Sequence, residues 1–131
     1  MCLVVGFVAP GLRPASAGPV DAQIVAGPGG YFSAGDYYTP VVATPSGGRV
    51  TFSNYDIEPH NVVSTKKAGN GRRARPLFAS RLLDFNESAP VAGVRRLRPG
   101  TYEFYCTLHP WMRGTLVVQS APAIPRATGA R

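Results

Sequence analysis

Apolar and polar positions alternate in short runs along this chain, and the runs are separated by clusters of Gly, Pro, Ser and Asn. A period of two over four to eight residues predicts half-buried strands, and the clusters predict the turns between them. The clearest pair is Pro40-Val41-Val42-Ala43-Thr44 and Arg49-Val50-Thr51-Phe52-Ser53-Asn54, two β-rich runs that bracket the turn sequence Pro45-Ser46-Gly47-Gly48. Another strand is predicted over His60-Asn61-Val62-Val63-Ser64, directly after Pro59. The turn Pro99-Gly100 leads into Thr101-Tyr102-Glu103-Phe104-Tyr105, and the alternation returns in Gly114-Thr115-Leu116-Val117-Val118-Gln119. A candidate first strand is Ala22-Gln23-Ile24-Val25-Ala26, with a turn over Gly27-Pro28-Gly29-Gly30 after it.

Residues 65–81 break the pattern. They carry Lys66, Lys67, Arg72, Arg73, Arg75 and Arg81 among Gly69, Gly71 and Pro76, with no apolar periodicity, and are expected to form an exposed, mobile loop. Residues 120–131, rich in Pro, Ala, Gly and Arg, are expected to be a disordered tail. The chain of 131 residues has room for one domain, and its 15 Gly and 13 Pro oppose long helices. Short strands at regular spacing with Gly/Pro turns predict an all-β sandwich or barrel. We place its core at residues 39–119, with 18–38 as an N-terminal segment that contains the candidate first strand.

The opening run Met-Cys-Leu-Val-Val-Gly-Phe-Val-Ala is too short to cross a bilayer, which needs about 20 residues. Ala15-Ser16-Ala17 follows it as a small-residue cleavage pattern, so residues 1–17 read as a secretory signal without the usual basic leader, with Ala22 as a second cleavage site. A buried first strand is the competing reading of this run, and Pro10 and Pro14 count against it. The mature protein is then expected to be exported to the periplasm or the extracellular space. Removal of Cys2 with the signal leaves Cys106 as the single cysteine, which excludes an intramolecular disulfide. A lone thiol in an oxidising compartment calls for a purpose, and metal ligation is one. The net charge of +7 suits an acidic redox protein or, through peripheral association, a membrane surface. It accompanies no nucleic-acid recognition motif, and no nucleic-acid partner is expected.

The chemistry concentrates in one place. The chain has two histidines, one methionine besides the initiator and one cysteine outside the signal, and three of these four fall in Cys106-Thr-Leu-His109-Pro-Trp-Met112. A thiolate, an imidazole and a thioether at three-residue steps between two strand patterns can converge on one ion if the intervening turn curls around it. His60, at the start of a distant strand, is placed to supply a second imidazole. Soft sulfur with imidazole selects copper, and two imidazoles, one thiolate and a weak axial thioether describe a blue-copper electron-transfer site. Taken singly, each residue has a plainer use: His60 as a hydrogen-bonded structural residue, Met112 as packing, Cys106 as a small buried hydrophobe. Their joint spacing favours the metal. Pro110 and Trp111 are expected on the surface around the His109 edge.

Pro59-His60-Asn61-Val62-Val63 and the run from Pro99 through Cys106-Thr-Leu-His109-Pro110-Trp111-Met112 resemble the plastocyanin and amicyanin branch of the cupredoxins. The resemblance implies a Greek-key β-sandwich, one type 1 copper on His60, Cys106, His109 and Met112, and a monomeric electron shuttle between redox proteins. The two-residue gap between His109 and Met112 is similar to the short ligand loop of amicyanin. The resemblance also implies that Asn61 hydrogen-bonds across to the cysteine loop. The basic stretch 65–81 departs from both relatives as an insertion.

A copper storage or delivery protein would use the same ligand types and is the alternative function. An enzyme is not expected. A multicopper oxidase needs further histidines, no Ser-His-Asp set exists apart from these residues, and no phosphate-binding glycine motif occurs. Zinc fits less well because its structural sites are closed Cys/His sets without thioether.

Overall fold

A computed structural model describes residues 21–27 and 37–120; the signal region, the 28–30 part of the predicted turn and the tail from 121 lie outside the described residues. Nine strands form the fold among the described residues: β1 Asp21–Ala26, β2 Val41–Pro45, β3 Arg49–Asn54, β4 Val63–Ser64, β5 Lys67–Ala68, β6 Arg75–Pro76, β7 Glu87–Pro90, β8 Gly100–Tyr105 and β9 Arg113–Gln119. One sheet has the order β1-β3-β7 and the other β2-β9-β8-β4, while β5 and β6 form a separate two-stranded hairpin. The expected all-β sandwich is what the chain forms.

The alternation read from the sequence is the cause of the two layers. In β9, Gly114, Leu116 and Val118 point inward while Arg113 and Gln119 stay in solvent; in β2, Val42 and Thr44 are the inward pair. Ile24, Phe52, Phe78, Leu83, Phe104 and Leu116 meet between the sheets at zero or one per cent exposure, enough apolar surface to drive collapse of a domain this size. Tyr37 joins them edge-on to Phe104, ring centroids 4.9 Å apart, and its hydroxyl donates to the carbonyl of Asn61. β1 lies parallel to β3 over Asp21↔Arg49 to Ala26↔Asn54 and buries Ile24 and Ala26, so the packed domain begins upstream of residue 39.

Three expectations need correction. The segment 65–81 is structured: Lys66 accepts the Leu77 N–H, β5 pairs with β6, residues 71–73 make a 3-10 turn, and the chain then turns inward at Phe78. Ser64 fixes the base of this hairpin, its hydroxyl accepting from the Leu77 and Phe78 N–H groups and donating to the Lys66 carbonyl. The predicted strand 60–64 pairs with β8 only at Val63–Ser64, because His60 is engaged with Leu83 and Val62 with Ser80. Finally, β7 and the 3-10 turn Val94–Arg96 were not predicted. β7 is an edge strand of Glu, Ser, Ala and Pro that joins the sheet through backbone pairing and a 2.7 Å contact between the Ser53 and Ser88 hydroxyls. It carries no apolar signal to read, and Pro90 is tolerated because it stands at an edge.

Gly114 closes the core beneath the β8–β9 turn. A Cβ there would lie 2.3 Å from Cζ of Phe104, two residues before Cys106. Gly114→Ala is therefore predicted to destabilise the fold by about 1–3 kcal/mol through overpacking. Urea unfolding at an unchanged m-value is the measurement; an unaltered midpoint would show that Phe104 moves aside freely.

Candidate metal centre

Asn54, at the end of β3, begins the construction. Its fully buried side chain donates to the carbonyls of Glu58 (2.8 Å) and Leu83 (3.0 Å) and accepts from the Asp56 N–H (2.9 Å), which coils residues 54–58 into a fixed turn. Pro59 ends that turn, and paired backbone hydrogen bonds between His60 and Leu83, 3.1 and 2.8 Å long, hold the first histidine rigidly in place. His60 is fully buried.

The second segment is the turn between β8 and β9. The Cys106 N–H donates to the Met112 carbonyl (3.1 Å) and the Met112 N–H to the His109 carbonyl (2.8 Å), which curls the chain so that the residues of Cys106-Thr-Leu-His109-Pro-Trp-Met112 share one end of the sandwich. The two segments are tied together across 46 residues. Asn61 Oδ1 accepts the Thr107 N–H at 2.9 Å, and Asn61 Nδ2 lies 2.9 Å from the Thr107 hydroxyl, the cross-link expected from the sequence.

With both segments fixed, ligand atoms of His60, Cys106 and His109 lie within 4.8 Å of one another. Nδ1 of His60 stands 3.7 Å from the Cys106 Sγ, and Nδ1 of His109 stands 3.6 Å from it. Met112 is fully buried and hydrogen-bonded into the same loop. Each imidazole is held from behind by a carboxylate that the sequence analysis missed. Nε2 of His60 is 3.0 Å from Asp56 Oδ2, and Nε2 of His109 is 2.8 Å from Glu58 Oε2. A carboxylate on the outer nitrogen fixes the ring orientation and leaves Nδ1 to face the thiolate, as the outer partners of metal-binding histidines do. The signal was present as Asp56-Ile57-Glu58, two acids just ahead of His60 in a basic chain.

Burial alone would push the Cys106 thiol up. Hydrogen bonds from His60, the Asn61 N–H, His109 and the Leu108 N–H outweigh it and hold the thiol down at about 6, so the sulfur is a thiolate at neutral pH. Burial alone would also lower the pKa of His60, but its hydrogen bonds to Cys106 and Asp56 raise it. One buried thiolate flanked by two oriented imidazole nitrogens is a soft, closed donor set that suits copper. Only the His109 side reaches solvent, its side chain 14% exposed, with Trp111 stacked edge-on at 5.4 Å and itself 64% exposed. Pro110 and Trp111 thus frame this ligand edge on the surface.

Comparison with known proteins agrees with this geometry. The family model described as copper binding proteins, plastocyanin/azurin family, matches residues 34–119. Amicyanin-alpha of Methylorubrum extorquens is 35% identical over 83 residues, covering 63% of this chain and 64% of the relative; amicyanin of Paracoccus versutus is 29% identical, covering 63% and 58%. The chain thus spans somewhat less than two thirds of the length of these curated relatives. A solved purple cupredoxin from Nitrosopumilus maritimus superposes with a TM-score of 0.58 at 31% identity, covering 76% of this chain and all of that one. Fold, donor set and matched residues agree, and the chain belongs to the plastocyanin/azurin family of copper-binding proteins as a cupredoxin of the amicyanin and plastocyanin type with one type 1 copper.

Proposed function

We propose that this protein is an exported electron carrier, in which His60, Cys106, His109 and Met112 would hold one copper. The observation that carries this reading is the pair of Nδ1 atoms, 3.7 and 3.6 Å from a buried thiolate and each braced from outside by a carboxylate. Bound copper supplies a one-electron Cu(II)/Cu(I) couple. The chain supplies fixed ligands: Asp56, Glu58, Asn61 and the Leu83 backbone hold the donor groups in one arrangement, so little reorganisation opposes electron exchange. The buried His60 and Met112 keep water from the centre on the inner side, and His109 is the edge through which a partner can approach.

The surface around that edge suits transient docking. Ile57, Leu108 and Trp111 are exposed there, and an apolar patch of this kind is uncommon on a surface unless it is used. Arg113, exposed directly after Met112, is one positive group beside the acids Asp56 and Glu58, so the apolar patch rather than net charge is what suits a redox partner here. The carrier works as a monomer and performs no catalysis of its own. Its export is supported by the apolar opening run with Ala15-Ser16-Ala17.

The oxidised, copper-loaded protein is predicted to be intensely blue through a Cys106 thiolate-to-copper charge-transfer band. Cys106→Ser abolishes the band; a serine protein that keeps it would remove Cys106 from the ligand set. A reversible potential with copper retained in both oxidation states separates the carrier from a delivery protein, which would favour and release Cu(I). Met112→Gln is predicted to keep copper and lower that potential, since the axial bond tunes more than it holds. Loss of all copper binding, or an unshifted potential, counts against the axial role.

Copper affinity is predicted to depend on pH in a direction fixed by Cys106. The metal displaces a thiol proton only where one is present, so above about 6 the thiol does not oppose binding. His60, its pKa raised above the ordinary imidazole value, already brings a proton to be displaced at higher pH, and below about 6 the thiol proton adds a second. Affinity should fall roughly tenfold or more per pH unit below about 6. Competition titrations against a chelator at several pH values test this, and a flat profile from pH 7 to 4 would contradict it.

A further inference from the structure

Acidic groups gather toward one end of this protein and basic groups toward the other, with Arg113 and the Glu87-paired Arg81 at the acidic end and Asp21 at the basic one. Asp56 and Glu58 stand behind the ligand histidines, Asp84 follows Leu83, which bridges to His60, and Glu87 pairs in register with Asn54, so four acids gather around the metal end. The exposed apolar side chains Ile57, Phe85, Leu108 and Trp111 belong to the same end. The opposite end is reached by following β3 back from Asn54 to Arg49, a run of about 17 Å for six extended residues. β8 runs the same way from Cys106 back to Gly100 and Arg98, and β1 starts there with Asp21 opposite Arg49.

At that far end lies an open concavity of about 790 Å³ whose charged lining is Arg49, Arg95, Arg96 and Asp21. None of the three guanidinium groups has a carboxylate within 4.0 Å among the described residues, so Asp21 leaves the concavity positively charged. The basic hairpin sits beside it. After Ser64 pairs with Phe104 and Thr65 bonds to Glu103, the chain is travelling away from Cys106 when it enters β5, and Gly93, next to the arginine turn, packs against Leu77 at the hairpin base. Lys66, Lys67, Arg72, Arg73 and Arg75 are thereby added to the same end, none of them in an ion pair among the described residues.

We propose that this basic end is a docking surface for the phosphate headgroups of an anionic membrane. An acidic redox partner drawn to it would be held at the wrong end of the molecule, because electron transfer weakens steeply with distance and the metal lies about 17 Å or more away. A single-stranded nucleic acid would need aromatic side chains to stack on, and among the described residues the exposed aromatics are at the metal end. A broad field of Lys and Arg around a concavity wide enough for a headgroup, without exposed large apolar side chains among the described residues, matches an anionic lipid surface. Bound this way, the protein lies on the membrane with its His109 edge turned outward, free to meet soluble partners.

The test is co-sedimentation of the full-length, copper-loaded protein with phosphatidylcholine vesicles with and without phosphatidylglycerol. Binding is expected only with phosphatidylglycerol and is reversed by salt. Each basic group near such a surface is worth about a fivefold factor, so Arg49→Gln/Arg95→Gln/Arg96→Gln together should weaken binding about a hundredfold. Arg113→Gln, at the metal end, should leave binding unchanged, and the triple substitution to Lys should restore it, which separates charge from folding. Equal binding to both vesicle types, or no loss in the triple Gln variant, overturns the proposal. So does an Arg-dependent affinity for inorganic phosphate without vesicle binding, which would make the concavity a site for a soluble anion. Sedimentation does not require copper, and the Cys106→Ser protein should bind alike, so failure of the copper assignment leaves this test intact.

Discussion

The hydrogen bonds between Asn61 and Thr107 hold this molecule's chemistry together. His60 and Cys106 belong to segments that meet only in the folded state, and neither histidine nor cysteine can find the other through local structure. The Asn61 side chain satisfies the Thr107 N–H and meets its hydroxyl, while the Asn61 carbonyl accepts from Tyr37. One residue therefore links the turn before β4, the cysteine loop and the aromatic core. A side-chain amide used at both ends, and partly buried, is costly to leave half-bonded, and that cost keeps the two ligand segments in register.

The same logic extends outward in polar layers. Asn54 fixes the turn that carries Asp56 and Glu58, and these carboxylates fix the imidazoles. The apolar core supplies the driving force for folding, but it does not aim a ring nitrogen. Aim comes from a chain of satisfied buried polar groups, each useful only because its neighbour is already held. The site is rigid for the reason that its supports are hydrogen-bonded to backbone, which moves less than side chains do.

The strands whose inner positions are apolar were legible from alternation alone: Val42, Val50 with Phe52, and Leu116 with Val118 all point where the period of two places them. The metal-binding residues were legible because His, Cys and Met are scarce here and cluster. Illegible were the elements held by backbone and hydroxyl groups. β7 has no apolar residue larger than alanine and proline, so only its partner β3 reveals it. The 65–81 segment looked like loop because its charges hide a hairpin pinned by the Ser64 hydroxyl, and Phe78 was a lone apolar residue without a periodic neighbour. Asp56 and Glu58 were illegible as supports because only the fold brings them onto the outer nitrogens of the two imidazoles.

Pairing of β2 with β9 has a bearing on how the protein is made. These strands lie parallel, with Val41 opposite Thr115, so the sheet that carries the cysteine loop is completed by pairing one of the earlier described strands with the last. Contacts of such long sequence separation form slowly, since the entropy of closing the intervening chain opposes them before any pairing compensates. During synthesis, β9 emerges only after nearly all the rest, and until then Cys106 has neither its backbone donors nor its imidazole neighbours. The nascent thiol is consequently an ordinary one, and its high affinity for soft metals is a property acquired in the final step of folding. A donor set assembled only by the fold ties metal loading to the pairing of β2 with β9 and not to synthesis of the cysteine loop alone.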